Sequence, residues 1–193
     1  MKKGFTIIEV SILFVIFIIV AFLVAPLSLD DTMQAKNTSR WRAVQADFVN
    51  IFYSINTEEE DEESTNFAED FEAIIKNEVK TSIQPYKITF LNGTYPNKTY
   101  HYKEYLITYS NAAIAYNLYK EPQDGIIGNL MYDVNGQTGP NVWGKDVFGY
   151  NIYEDKFEPF GKNEPLSEQK QDCSKSGTGL SCSNYYLIGG TFD

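Results

Sequence analysis

Phe5-Thr6-Ile7-Ile8-Glu9-Val10-Ser11-Ile12-Leu13-Phe14-Val15-Ile16-Phe17-Ile18-Ile19-Val20-Ala21-Phe22-Leu23-Val24-Ala25 is apolar at nearly every position. Met1-Lys2-Lys3-Gly4 precedes it and Pro26 follows. As a helix rising about 1.5 Å per residue, such a run measures about 30 Å, the thickness of a bilayer's hydrocarbon core. Lys2 and Lys3 lie before the run, and Asp30 and Asp31 after it. Because positive charge stays on the cytoplasmic side, the pattern predicts a single span with a cytoplasmic N-terminus, residues from about 30 onward being outside. A cleaved secretory signal fits poorly, because its apolar region is shorter and a cut after Ala25 would leave Pro26 at the new terminus. An ordinary signal anchor gives no reason for Glu9. A carboxylate a turn inside a membrane costs about 2.5–3.5 kcal/mol and marks a function by default.

Gly4-Phe5-Thr6-Ile7-Ile8-Glu9-Val10, after a short basic leader and with Pro26 near the end of the apolar run, resembles the prepilin signature of type IV pilins and type II secretion pseudopilins. The resemblance covers about 26 residues and implies roles for Gly4, Phe5 and Glu9. Prepilin peptidase would cut between Gly4 and Phe5 and methylate the new Phe5 amine. Glu9 would pair with that amine on a neighbouring subunit. An ion pair in an apolar surround offsets its desolvation only when docked, so the pair would set register more than add stability. The implied protein is no enzyme but a structural filament subunit. It would be stored in the inner membrane, extracted by an inner-membrane assembly platform, and polymerised with copies of itself or other pilins in the periplasm or at the cell surface. A minor pilin acting as a tip adhesin or binding module is the alternative.

Beyond Pro26, Trp41, Val44, Phe48, Ile51, Phe52 and Ile55 recur at spacings of three and four, with Lys36, Arg40, Gln45 and Asp47 opposite. This predicts the amphipathic lower half of one long helix, striped once. The six carboxylates Glu58 to Glu63 read as a solvated loop. A second helix is expected over about Asn66 to Lys80, with Phe67, Phe71, Ile74, Ile75 and Val79 on one face and Ser64 or Thr65 as cap. Short strands follow at Tyr86–Leu91, Tyr100–Tyr109, Ala113–Tyr119, Ile127–Asp133 and Val147–Tyr153. Asn92-Gly93 and Tyr95-Pro96-Asn97 are turn residues that join the first two as a hairpin. The expected class is α+β, pilin-like, a long N-terminal helix with a membrane half and an amphipathic half packed on a small antiparallel sheet. Residues 1–4 would be leader, 5–29 membrane helix and filament core, and 30–193 the exported domain.

A net charge of −10, with no cluster of Lys and Arg, excludes a nucleic-acid surface. His101 stands alone and no nucleophile elbow accompanies it, so a Ser-His-Asp centre has no support. Cys173 and Cys182 are separated by a short polar segment with two glycines. In an exported chain a disulfide is expected, and two free thiols are the alternative.

The remaining informative stretch is Asp133-Val134-Asn135-Gly136-Gln137-Thr138-Gly139-Pro140-Asn141-Val142-Trp143-Gly144-Lys145-Asp146. Asp133, Asn135, Asn141 and Asp146 are hard oxygen donors of the kind calcium takes. The opening is reminiscent of an EF-hand, but the glycine comes early and the closing Glu is absent. The stretch is similar to a segment near the C-terminus of many prepilin-type proteins, and some pseudopilins bind calcium in a C-terminal loop of different spacing. Asx-turns, in which Asp and Asn fold back on their own backbone, are the other reading. Both stay open at this point.

Overall fold

The computed structural model describes residues 7–57, 67–77, 79–96, 100–154 and 156–192, except for the side chains of Glu9, 21–31, 47–49, 51–57, 67–70 and 74. The processing positions Gly4 and Phe5 and the acidic run 58–63 fall outside, as do the side chains of Glu9 and Pro26. The elements in chain order are α1 (Ile7–Thr57), α2 (Phe67–Asn77), β1 (Val79–Ile83), β2 (Tyr105–Thr108), β3 (Ala113–Gln123), β4 (Ile126–Asp133), β5 (Val147–Ile152), β6 (Phe157–Pro159), α3 (Leu166–Asp172) and α4 (Cys182–Leu187). Two compact units divide the chain, Met1–Lys36 and Asn37–Asp193.

In the first unit every residue from Val10 to Val20 is exposed, and the large apolar side chains there are between 39% and 70% accessible. Apolar residues point in all directions around the helix.

The second unit is built on a sheet of six strands in the order β1-β2-β3-β4-β5-β6, each antiparallel to its neighbour. Strand alternation sends residues to opposite faces, and both faces are covered. Ile114, Leu130, Tyr132, Phe148, Tyr150 and Ile152 join one core with Trp41, Phe71, Ile75 and Tyr186. Ala115, Met131 and Val147 join another with Ile88, Phe90, Tyr102, Tyr105 and Trp143. Trp41 anchors the first core. It is fully buried, stacks on Phe148 at 4.8 Å, and donates its Nε1–H to the Ser183 carbonyl at 2.8 Å. Arg42 donates to the Tyr186 carbonyl at 2.8 Å, so this stretch of α1 is tied to α4 twice.

Four expectations need correction. The fold class is one, because the folded unit is built on a six-stranded antiparallel sheet and not on a small sheet under a membrane-plus-amphipathic helix. Localisation is the second. Among the described residues no helix is long and apolar enough to cross a membrane. The single-pass inner-membrane anchor with a cytoplasmic N-terminus is therefore not supported. Third, Val79 and Lys80 belong to β1, because Val79 pairs with Thr108 of β2 at the edge of the sheet and Lys80 sits at the bulge before Thr81. Fourth, Tyr86–Leu91 is not a strand of a hairpin. Thr89 instead exchanges hydrogen bonds with Asn141 and Trp143, and the segment covers the second face of the sheet. The Asn92-Gly93 turn does form, with Gly93 at φ 79° donating to the Phe90 carbonyl at 2.9 Å.

The tight hairpin is β3–β4, where Asp124 (φ 51°) and Gly125 (φ 80°) join Gln123 to Ile126. Two positive φ values in a two-residue loop match the twist of the flanking strands, and Asp-Gly suits them.

Candidate functional site

The 133–146 loop connects β4 to β5, and its ends meet. Asp133 pairs with Val147 across the sheet, and Val134 donates to the Asp146 carbonyl at 2.9 Å. The sheet register thus brings both predicted carboxylates together, and each is fully buried. Asp133 Oδ1 accepts the Asn135 amide at 3.1 Å, and Oδ2 accepts the Tyr86 hydroxyl at 2.6 Å. Asp146 Oδ1 accepts the Val142 amide at 2.7 Å, and Oδ2 accepts the Asn141 amide at 2.9 Å. An Asx-turn is therefore realised at Asp133, whereas Asp146 reaches back to the amides four and five residues before it. Asn135 donates its side-chain amide towards the Gly139 carbonyl at 3.5 Å, and the Gly139-Pro140 peptide is cis.

Glycine is required at two positions. At Gly136 (φ 63°) a Cβ would come within 2.6 Å of the Asn111 carbonyl oxygen. At Gly144 (φ 80°) it would come within 2.6 Å of Cys182 Sγ. The loop is thereby packed on the disulfide, and the Tyr186 hydroxyl adds a bond to the Gly144 carbonyl at 3.1 Å.

Electrostatics leave this loop short of positive charge. Burial, and then the neighbouring Asp146, push the Asp133 carboxyl up to about 8. Burial also raises Asp146, against the amide hydrogen bonds that favour its ionised form. Among the described residues neither carboxylate is paired with a lysine, arginine or histidine. The Oδ1 atoms of Asn135 and Asn141 are buried and accept no hydrogen bond. Among the described residues no three His, Cys, Asp or Glu gather as a metal cluster. The four predicted donors fit a hard cation only as two carboxylates plus two amide oxygens, a mixed set that calcium accepts.

Cys173 and Cys182 form the expected disulfide, with Cα atoms 5.0 Å apart. Asp172 organises the segment it closes, accepting the Thr178 amide at 2.6 Å, the Thr178 hydroxyl at 2.7 Å and the Ser181 amide at 2.9 Å. His101 is exposed and stands apart from the carboxylate pair. Tyr86 is the residue that sequence reasoning missed. The sequence pattern places it in a strand, whereas its hydroxyl is the direct partner of Asp133. The density of tyrosines between 86 and 105 was the available signal.

Compared with family models, with curated proteins and with solved structures, the chain matches none.

Proposed function

We propose that the chain is a structural subunit of a type IV pilin or pseudopilin-like filament, cut between Gly4 and Phe5 and assembled through its N-terminal helix. One observation carries this reading. The helix that follows the prepilin-like stretch exposes large apolar side chains on every side from Val10 to Val20. A helix that is apolar all round is a buried helix, so its cover comes from outside the chain. Copies of the same helix supply such cover, and Glu9 then meets the Phe5 amine of the next copy. The test is the Glu9→Val subunit, which keeps apolar character and the cleavage residues. It should be cut normally and be lost from sheared filaments, and normal incorporation would contradict the reading.

Within the subunit the 133–146 loop is proposed to take a calcium ion on Asp133, Asn135, Asn141 and Asp146. Support comes from the two unpaired carboxylates and the two amide oxygens without a donor. A second reading, a minor subunit whose C-terminal unit binds a ligand, is favoured by an aromatic cavity in that unit.

A further inference from the structure

Asn-Gly occurs twice in the chain, at Asn92-Gly93 and at Asn135-Gly136. In this dipeptide the backbone amide readily attacks the side chain before it, because glycine puts no Cβ in the way. The fold places the two copies in opposite surroundings.

Asn92, Gly93 and Thr94 are all exposed, and a Cβ at Gly93 would meet no atom within 4 Å. Two donors converge on the Asn92 side-chain oxygen. Its Oδ1 accepts the Thr94 amide at 3.0 Å and the Thr94 hydroxyl at 2.6 Å. Attack on Cγ turns that oxygen into an oxyanion, and donors already aimed at it stabilise the charge as it develops. The Gly93 N–H is held on the Phe90 carbonyl at 2.9 Å, a surface bond that opens easily to water. At Asn135 these features are reversed. Gly136 is buried, and a Cβ there would lie 2.6 Å from the Asn111 carbonyl oxygen, so little room remains beside the attacking nitrogen. Asn135 Oδ1 is buried and accepts no hydrogen bond, so an oxyanion formed there would be unpaired.

We propose that Asn92 is a site of spontaneous deamidation and isoaspartate formation, with water as co-reactant, and that the fold protects Asn135 from the same reaction. The Gly93 nitrogen bonds to Asn92 Cγ, and the Cγ–Nδ2 bond breaks. The Gly93 proton passes through water to Nδ2, which leaves as ammonia. Water then opens the cyclic imide at either carbonyl, giving aspartate or isoaspartate, and nothing is oxidised or reduced. Either product adds a negative charge to a chain already at −10. Isoaspartate also inserts a methylene into the main chain next to the Leu91 and Asn92 amides, which donate to the Thr178 and Gly177 carbonyls at 3.1 and 3.0 Å. The modified turn therefore loses its register on the disulfide-closed segment. This inference is independent of the filament and calcium readings.

Peptide mapping of the full chain, incubated folded in heavy-oxygen water at physiological temperature and neutral pH, tests it. Heavy oxygen and isoaspartate are expected at residue 92, at about tenfold or more the rate at residue 135. In urea strong enough to unfold the chain, the two rates should converge. Thr94→Val keeps the amide donor but removes the hydroxyl, and should slow the reaction at Asn92 about fivefold, the worth of one hydrogen bond. Thr94 is exposed, so this variant should keep the parent's thermal midpoint. An unmodified Asn92, equal rates in the folded chain, or an Asn135 that stays slow once unfolded would overturn the proposal. So would a Thr94→Val chain that reacts as fast as the parent.

Discussion

Asp133 has two neighbours that pull in opposite directions. Tyr86 and the Asn135 amide favour its ionised form, while burial and Asp146 oppose it, and opposition wins at about 8. An unfolded aspartate titrates near about 4. The folded, cation-free protein therefore holds a proton that the unfolded chain releases. This stabilisation is fully present below pH about 4 and is lost as pH rises through about 8. Urea midpoints in chelator should fall across that interval, and Asp133→Asn should flatten the fall. An unchanged slope in the variant would contradict the assignment. A second residue-scale prediction concerns Gly149 on β5. A Cβ there would lie 2.3 Å from Phe160 Cε2 and 2.8 Å from the Leu130 carbonyl oxygen. One of these neighbours is backbone, so Gly149→Ala should lower stability by about 1–3 kcal/mol in denaturant titrations. A neutral change would show that the strands yield more easily than their packing implies.

The candidate loop is the β4–β5 connection, and the disulfide-closed segment between α3 and α4 packs against it at Gly144. If calcium joins Asp133 and Asp146, about a hundredfold excess of free ion over Kd adds about 2.7 kcal/mol. For a domain of this size that is a rise of roughly 5–10 °C in Tm. Chelator should remove the rise, Asp146→Asn should weaken it, and Lys145→Ala should leave it intact. A Tm indifferent to chelator would mean that the hydrogen bonds to the two carboxylates, three from loop amides and one from the Tyr86 hydroxyl, brace the loop alone. Cys173→Ser should lower stability by about 2–4 kcal/mol. Because Cys182 starts α4, which holds Trp41 through Ser183 and Arg42 through Tyr186, tryptophan fluorescence should shift to the red at the same time. Unaltered emission and stability would show that α4 docks without the bridge. Periodicity made α2, β3, β4 and β5 legible, since Phe71 and Ile75 or Leu130 and Tyr132 repeat at the spacing of their element. Val79–Ile83 was lost to the preceding helix because Val79 continues its stripe, and only pairing with Tyr105–Thr108 decides otherwise. Tyr86–Leu91 alternates like a strand but spends its hydrogen bonds on the 141–143 segment, a tertiary choice that local pattern does not encode.

At the scale of the molecule, the two units pose different physical problems. Asn37–Asp193 buries its apolar surface internally, on both faces of one sheet. The helix in Met1–Lys36 leaves Val10 to Val20 exposed, and in the proposed reading copies of the same helix would cover it. The donor residues of the candidate loop were legible because Asp and Asn punctuate a glycine-rich stretch, and the register of β4 against β5 is what brought its two ends together. The aromatic cavity was not legible, because it gathers residues from an irregular connection that no period describes. The membrane anchor inferred from hydropathy was the other departure, and the assembly reading stands on uncovered apolar surface instead. That reading begins with a cut, since Glu9 has a partner only when the Phe5 amine is free. Mass spectrometry of the N-terminal peptide from the protein in its own cells tests this most directly. The account predicts a chain beginning at an N-methylated Phe5, with residues 1–4 gone, and an intact Met1 or a terminus after Ala25 would contradict it.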